Sequence, residues 1–126
     1  MAAANKCEQE ALQNRRLVEA LRRTKLFRDY ERVFAEATGL PLALRPLEYW
    51  QLAHRGKKSE NAFCALLAEN PRTLSVCLQA HDAMIRHTAD VPNTVTCPFG
   101  LTETAVPVKL VEKTIGYLRI GQVLRR

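Results

Sequence analysis

Three cysteines and one histidine are spaced so that they can meet. Cys64 and Cys77 are separated by twelve residues on what read as adjacent helices, and Cys97 ends a strand that can run beneath them. His81 follows Cys77 at i+4, which puts both side chains on one helical face. Three thiols and an imidazole suit a tetrahedral zinc site or a thiolate-ligated cluster. The spacing lacks the Cys-x-x-Cys knuckle of strong metal motifs, and unpaired cysteines are also among the residues most often buried as small hydrophobes. Both readings stay open: the pattern requires no cofactor, and it accommodates zinc or another thiolate-bound metal. Cys7 stands apart in polar sequence and reads as exposed.

A second group points to ligand binding. Gly116 and Gly121 interrupt a strand, and glycine there marks a bulge or a close approach. Tyr117 and Gln122 flank them, and with Thr96 and Cys97 they form a candidate set of polar groups presented into an apolar cavity. Trp50, the single tryptophan, offers area and one donor beside Tyr49. Each of these residues also has a plainer role in packing or on the surface. His54 and His87 lie in polar stretches, and Glu103 and Glu112 read as isolated. With no nucleophile placed beside a base, no glycine-rich phosphate loop and no paired acids, the chain is not expected to be an enzyme.

The elements that position these residues follow from periodicity. Leu17, Leu21, Leu26, Tyr30, Val33, Phe34 and Ala37 recur at three- and four-residue steps without proline or glycine, giving one long helix or two jointed near Thr24. Gly39 stops the run and Pro41 cannot continue it. Leu40, Leu42 and Leu44 then alternate as a short strand, and a strand fragment is expected near Tyr49 to Leu52, before a polar loop. Ser59 or Asn61 caps a helix from Ala62 to Glu69, and Asn70-Pro71 opens another that reaches about His87. Beyond Pro92 the chain turns β-branched. One strand holds Val95, a turn follows at Cys97-Pro98-Phe99-Gly100, and two more strands cover 104–109 and 114–123. The sum is an α+β domain: an antiparallel sheet of about five strands, helices over one face, and a long N-terminal helix projecting.

Length and charge narrow the rest. A chain of 126 residues, 47% hydrophobic, supports one core, divided here into an N-terminal helical extension over 1–25 and a main domain over 26–126. The 19 Lys and Arg against 13 Asp and Glu leave a net charge of +6, yet Arg15, Arg16, Arg22, Arg23, Lys25 and Arg28 interleave with leucines as a solvated helix face. DNA contact is expected only through an output domain absent from this chain, and no nucleic-acid signature accompanies the charge. No apolar run is long enough for a membrane span, and there is no signal core, so a cytoplasmic location without membrane association is expected. The leucine stripe is too long for a small domain to cover, so a homodimer through the N-terminal helix is expected.

The ordered pieces Phe34-Ala-Glu-Ala-Thr-Gly-Leu-Pro, Phe63-Cys64, Asn70-Pro71, Cys77, Cys97-Pro-Phe-Gly-Leu, Ala105-Val-Pro-Val, Ile115-Gly-Tyr-Leu and Gly121-Gln-Val resemble the PocR-type sensory domains of bacterial AraC-type regulators and sensor kinases. The resemblance spans about Phe27 to Leu124. It implies a PAS-like fold, with a central antiparallel sheet and flanking helices, that binds a small organic molecule of diol or hydrocarbon-derivative type and relays this to an output domain. The alternative is a metal- or redox-responsive sensor using Cys64, Cys77 and Cys97.

Overall fold

The structure, a computed structural model, describes residues 2–48, 51–58, 60–87 and 91–124. Helix α1 spans Ala2–Arg22 and α2 spans Lys25–Thr38. The joint falls at Thr24, whose side chain does two things at once. Its hydroxyl donates to the Leu21 carbonyl at the end of α1 and accepts from the Phe27 amide at the start of α2, at 2.7 and 3.1 Å. A capping hydroxyl of this kind satisfies donors a new helix would otherwise leave orphaned. Gly39 closes α2 in the left-handed conformation at φ 71°, its amide bonded to the Ala35 carbonyl.

The remaining helices are α3, Ala62–Glu69, and α4, Pro71–His87. Asn61 is the residue that caps α3, accepting from the Phe63 amide at 2.9 Å. Asn70 accepts from the Arg72 amide and so opens α4. Four strands are present among the described residues: β1 Leu42–Pro46, β2 Asn93–Thr96, β3 Leu101–Leu110 and β4 Lys113–Leu124. They form one antiparallel sheet in the order β1-β4-β3-β2. The fold class is therefore α+β with a central antiparallel sheet, as expected, with four strands in place of five. Of the anticipated strand near 49–52, Tyr49 and Trp50 lie outside the described residues, and Gln51 and Leu52 belong to no strand.

Helices cover both faces of the sheet, which corrects the one-faced arrangement expected. On one face Val18 of α1 and Phe27 of α2 pack with Leu44, Ile115, Val108 and Leu118. On the other, Met84 and Ile85 of α4 pack with Ala105, Tyr117 and Val95. This two-sided burial explains why Leu42, Ala43 and Leu44 are all buried, where period two alone predicts a single buried side.

Two irregularities shape β4. Register shifts opposite Val108/Lys109 and Thr102/Glu103 leave Ile115 and Gln122 as the extra residues. Gly116 lies close against both β1 and α1: a Cβ there would collide with the Arg45 carbonyl oxygen and sit 3.1 Å from Val18 Cγ2. Because the first obstacle is backbone, Gly116→Ala is expected to destabilise the fold by about 2–3 kcal/mol, read as a lower urea midpoint at unchanged m-value.

Candidate functional site

On the α4 side of the sheet the strand alternation places Glu103 in line with Ala105, and Arg119 in line with Tyr117, so two charged side chains point into the interior. Glu103 is 6% exposed and Arg119 4%. Gly121 fixes the backbone at this point. It takes φ 133°, and a Cβ on it would stand 2.8 Å from the Thr102 carbonyl and 2.9 Å from Glu103 Cα. Only glycine lets β4 run this close to the strand that carries the carboxylate.

Three elements converge on that carboxylate. Arg119 Nη2 on β4 lies 3.2 Å from Oε1, His54 Nε2 from the 51–58 loop lies 3.1 Å from the same oxygen, and His81 Nε2 on α4 lies 3.2 Å from Oε2. The loop is brought into place by Arg45, which donates through Nη2 and Nε to the Ala53 carbonyl at 3.0 and 3.3 Å. Arg119 Nη2 also lies 2.9 Å from His81 Nδ1. A guanidinium can only donate, so Nδ1 accepts, and the ring proton of neutral His81 sits on Nε2 and is donated to Glu103.

The electrostatics follow from burial and from these contacts. Burial pushes the Glu103 carboxyl up, but the Arg119 charge, the His54 hydrogen bond and the two imidazoles outweigh it and hold it down at about 2. Burial lowers His81 to about 4; Glu103 opposes that, while Arg119 and His54 reinforce it. Arg119 is lowered by burial against the pull of Glu103. At neutral pH the centre is a carboxylate–guanidinium pair bridged by a neutral imidazole.

Beside it, α4 and strands β2 and β3 border an open cavity of about 240 Å³ lined by Ala80, His81, Ala83, Met84, Val95, Thr96, Cys97 and Glu103. On the other flank of α4 a second hollow of about 320 Å³ includes Gln51, Gln79, Asp82 and Arg119, and His81 borders both.

Of the expected ligand residues, Thr96 and Cys97 line the first cavity. Tyr117 lies in the apolar cluster with Met84 and Ala105. Gln122 sits at the bulge, its backbone carbonyl accepting from Asn61 Nδ2 at 3.2 Å, and does not line the cavity. Trp50 lies outside the described residues. The thiols of Cys64 and Cys77 are both held above their ordinary value. Burial first, then Cys97 and Cys77, push Cys64 up to about 12, and burial followed by Cys97 raises Cys77. Among the described residues no group of three or more His, Cys, Asp or Glu side chains is arranged to hold a metal ion, and His81 is engaged with Glu103 and Arg119 instead. Cys7 is exposed, as expected.

Sequence reasoning missed Glu103, His54 and Arg119. Glu103 is the hub of the site and not an isolated acid, and His54 is buried although it belongs to a loop that reads as polar. The signal for Glu103 and Arg119 was their place in the inward-facing alternation of β3 and β4, where a charge demands a partner. Nothing local marked His54.

A family model for the sensory domain found in PocR matches residues 20–126. No curated protein and no solved structure matches the chain.

The buried network predicts an acid limb in stability. His81 is held below its ordinary value, so its neutral form is favoured by folding and stability falls as pH drops from about 6.5 through about 4. Glu103 is held below the ordinary carboxyl value, so its contribution is present above about 4.5 and lost as pH falls towards about 2. Urea midpoints measured from pH 8 to 3 should decline through both windows, and His81→Gln should flatten the upper one. Glu103→Gln, which leaves the Arg119 charge uncompensated, is expected to cost about 3–5 kcal/mol at pH 7.

Proposed function

This chain belongs to the PocR sensory-domain family, and on that premise we propose that it binds a small organic molecule of diol or hydrocarbon-derivative type in the cavity between α4 and strands β2 and β3, relaying occupancy to an output domain. The observation that carries this reading is the pairing of an apolar wall, Ala80, Ala83, Met84 and Val95, with a polar floor, the Glu103 carboxylate and the His81 imidazole. Small-molecule sites combine those two features. The volume of about 240 Å³ is below the range for drug-sized ligands, which favours a molecule of a few carbon atoms.

The floor favours a hydroxyl. Among the described residues, Glu103 Oε1 accepts from both His54 and Arg119, whereas Oε2 accepts from His81. A carboxylate has about four acceptor positions, so Oε2 retains capacity for a ligand hydroxyl donor. Thr96 and Cys97 at the rim supply further polar contact.

Binding, not catalysis, suits the same geometry. Cys97, His81 and Glu103 line one cavity, the residue types of a thiol-based catalytic triad. Yet both His81 nitrogens are taken, by Arg119 and by Glu103, and its basicity is lowered to about 4. Neither nitrogen is available to accept a thiol proton.

A thermal-shift screen across small alcohols, diols and related metabolites tests the reading. A ligand at a hundred times its dissociation constant adds about 2.7 kcal/mol, a rise of about 10 °C for a domain of this size. Ala80→Leu, which fills the cavity, should abolish the rise. No stabilising compound, together with near one equivalent of zinc in protein purified without added metal, would replace this reading with the metal-responsive one.

A further inference from the structure

The stripe of apolar residues along the first two helices is divided by the fold. Leu17, Val18, Leu21 and Phe27 pack in the core, while Leu26, Tyr30 and Val33 remain in solvent at 81, 50 and 53% exposure. These three recur at i, i+4 and i+7, and exposed Ala37 continues the series. Together they make one ordered apolar stripe about 16 Å long, a feature that soluble surfaces rarely present without a partner.

Charge beside the stripe identifies the partner. Lys25, Asp29, Arg32 and Glu36 follow one flank of α2 at i, i+4, i+7 and i+11, alternating in sign. Within the helix they form the pairs Lys25–Asp29 and Arg32–Glu36, each at 3.5 Å. Laid antiparallel against a second α2, with the two-fold axis between Tyr30 and Glu31, this series meets itself with opposite charge at every level: Lys25 faces the partner's Glu36, and Asp29 faces the partner's Arg32. Parallel pairing would instead set this flank against the opposite flank of the partner, which carries Phe27, Glu31, Phe34 and Thr38 and no matching charge series. The same antiparallel register brings Leu26 against the partner's Val33 and Ala37 and stacks Tyr30 on the partner's Tyr30. We propose that the Leu26, Tyr30 and Val33 face of α2 is the contact surface of a two-fold dimer of this chain, with its two helices antiparallel.

Exposed ion pairs add little affinity, so here they set orientation while the apolar stripe supplies the attraction. One helix face per protomer is a small interface, and the dimer forms and dissociates with concentration. The contact is isologous, so each substitution acts twice.

Sedimentation of the full chain over a concentration series tests this. Leu26→Glu should raise the dimer dissociation constant at least about tenfold with unchanged circular dichroism, since the side chain lies in solvent. Lys25→Glu should also weaken the dimer, and adding Glu36→Lys should restore it. Orientation is read in a Cys7→Ser background: Tyr30→Cys should oxidise to a covalent dimer, whereas Leu26→Cys should not, because its two copies lie about 13 Å apart along the axis. A monomer at every concentration overturns the proposal and leaves the face to a protein of different sequence. A dimer indifferent to Leu26→Glu, or one in which both introduced thiols crosslink, overturns it equally. None of these readouts depends on occupancy of the cavity.

Discussion

A carboxylate withdrawn from water must be compensated where it stands, and in this protein the compensation of Glu103 organises one whole side of the sheet. The desolvation penalty for a buried ion is several kcal/mol even after relaxation. It is met by Arg119 from the neighbouring strand, His81 from α4 and His54 from the 51–58 loop, all within 3.2 Å. These donors come from segments distant in sequence. Where α4 sits, how the loop folds over the sheet and why β4 bulges at Gln122, beside Gly121, are therefore parts of one electrostatic problem. The opposite face, where Val18, Phe27, Leu44 and Ile115 pack without a charge, is held by apolar burial and places no comparable demand on geometry.

Stability alone does not explain such a centre, because an apolar replacement of similar volume is often neutral or stabilising. The network is also incompletely satisfied: among the described residues His54 Nδ1 and Arg119 Nε are buried without a hydrogen-bond partner. A half-satisfied polar network costs more than an apolar core. Local rules are broken in this way mainly at functional sites, and this one borders a cavity. The apolar contacts of Met84 and Ala105 stand directly beside the polar ones, which gives the cavity its two kinds of wall.

Much of the scaffold was legible in the sequence because its signals are local. Thr24 and Gly39 mark helix ends, Asn61 and Asn70-Pro71 mark helix starts, and the β-branched alternation after Pro92 marks the strands; each depends on residues within one turn or one hairpin. The ordered Cys, Gly and Pro positions pointed to the family that the match over residues 20–126 supports. The centre of the site was legible only in part. Thr96 and Cys97 lie at its rim, but Glu103 looks isolated because its partners are 16, 22 and 49 residues away in the chain. His54 sits beside Arg55, Gly56, Lys57 and Lys58, a run that reads as exposed, and it is buried because Arg45 ties down the preceding Ala53. Pairing across the sheet and loop closure are non-local, and no sequence period encodes them.

The placement of His81 bears on how occupancy can be transmitted. A ligand shifts an equilibrium only through a difference in its interaction with two states, so one that touched only rigid sheet would change nothing beyond itself. In this cavity the sheet contributes Val95 and Glu103, and α4 contributes Ala80, His81, Ala83 and Met84, so any occupant spans the interface between them. A ligand hydroxyl placed on Glu103 Oε2 shares that oxygen with the His81 Nε2 proton. The competition acts on the one residue of α4 that also receives Arg119 and borders the second hollow. Small changes in the position of His81 therefore alter hydrogen bonds on both flanks of α4. The neutral, Nε2-protonated imidazole is suited to this, because it donates in one direction and accepts in the other, whereas a protonated ring could only donate and would lose the Arg119 contact.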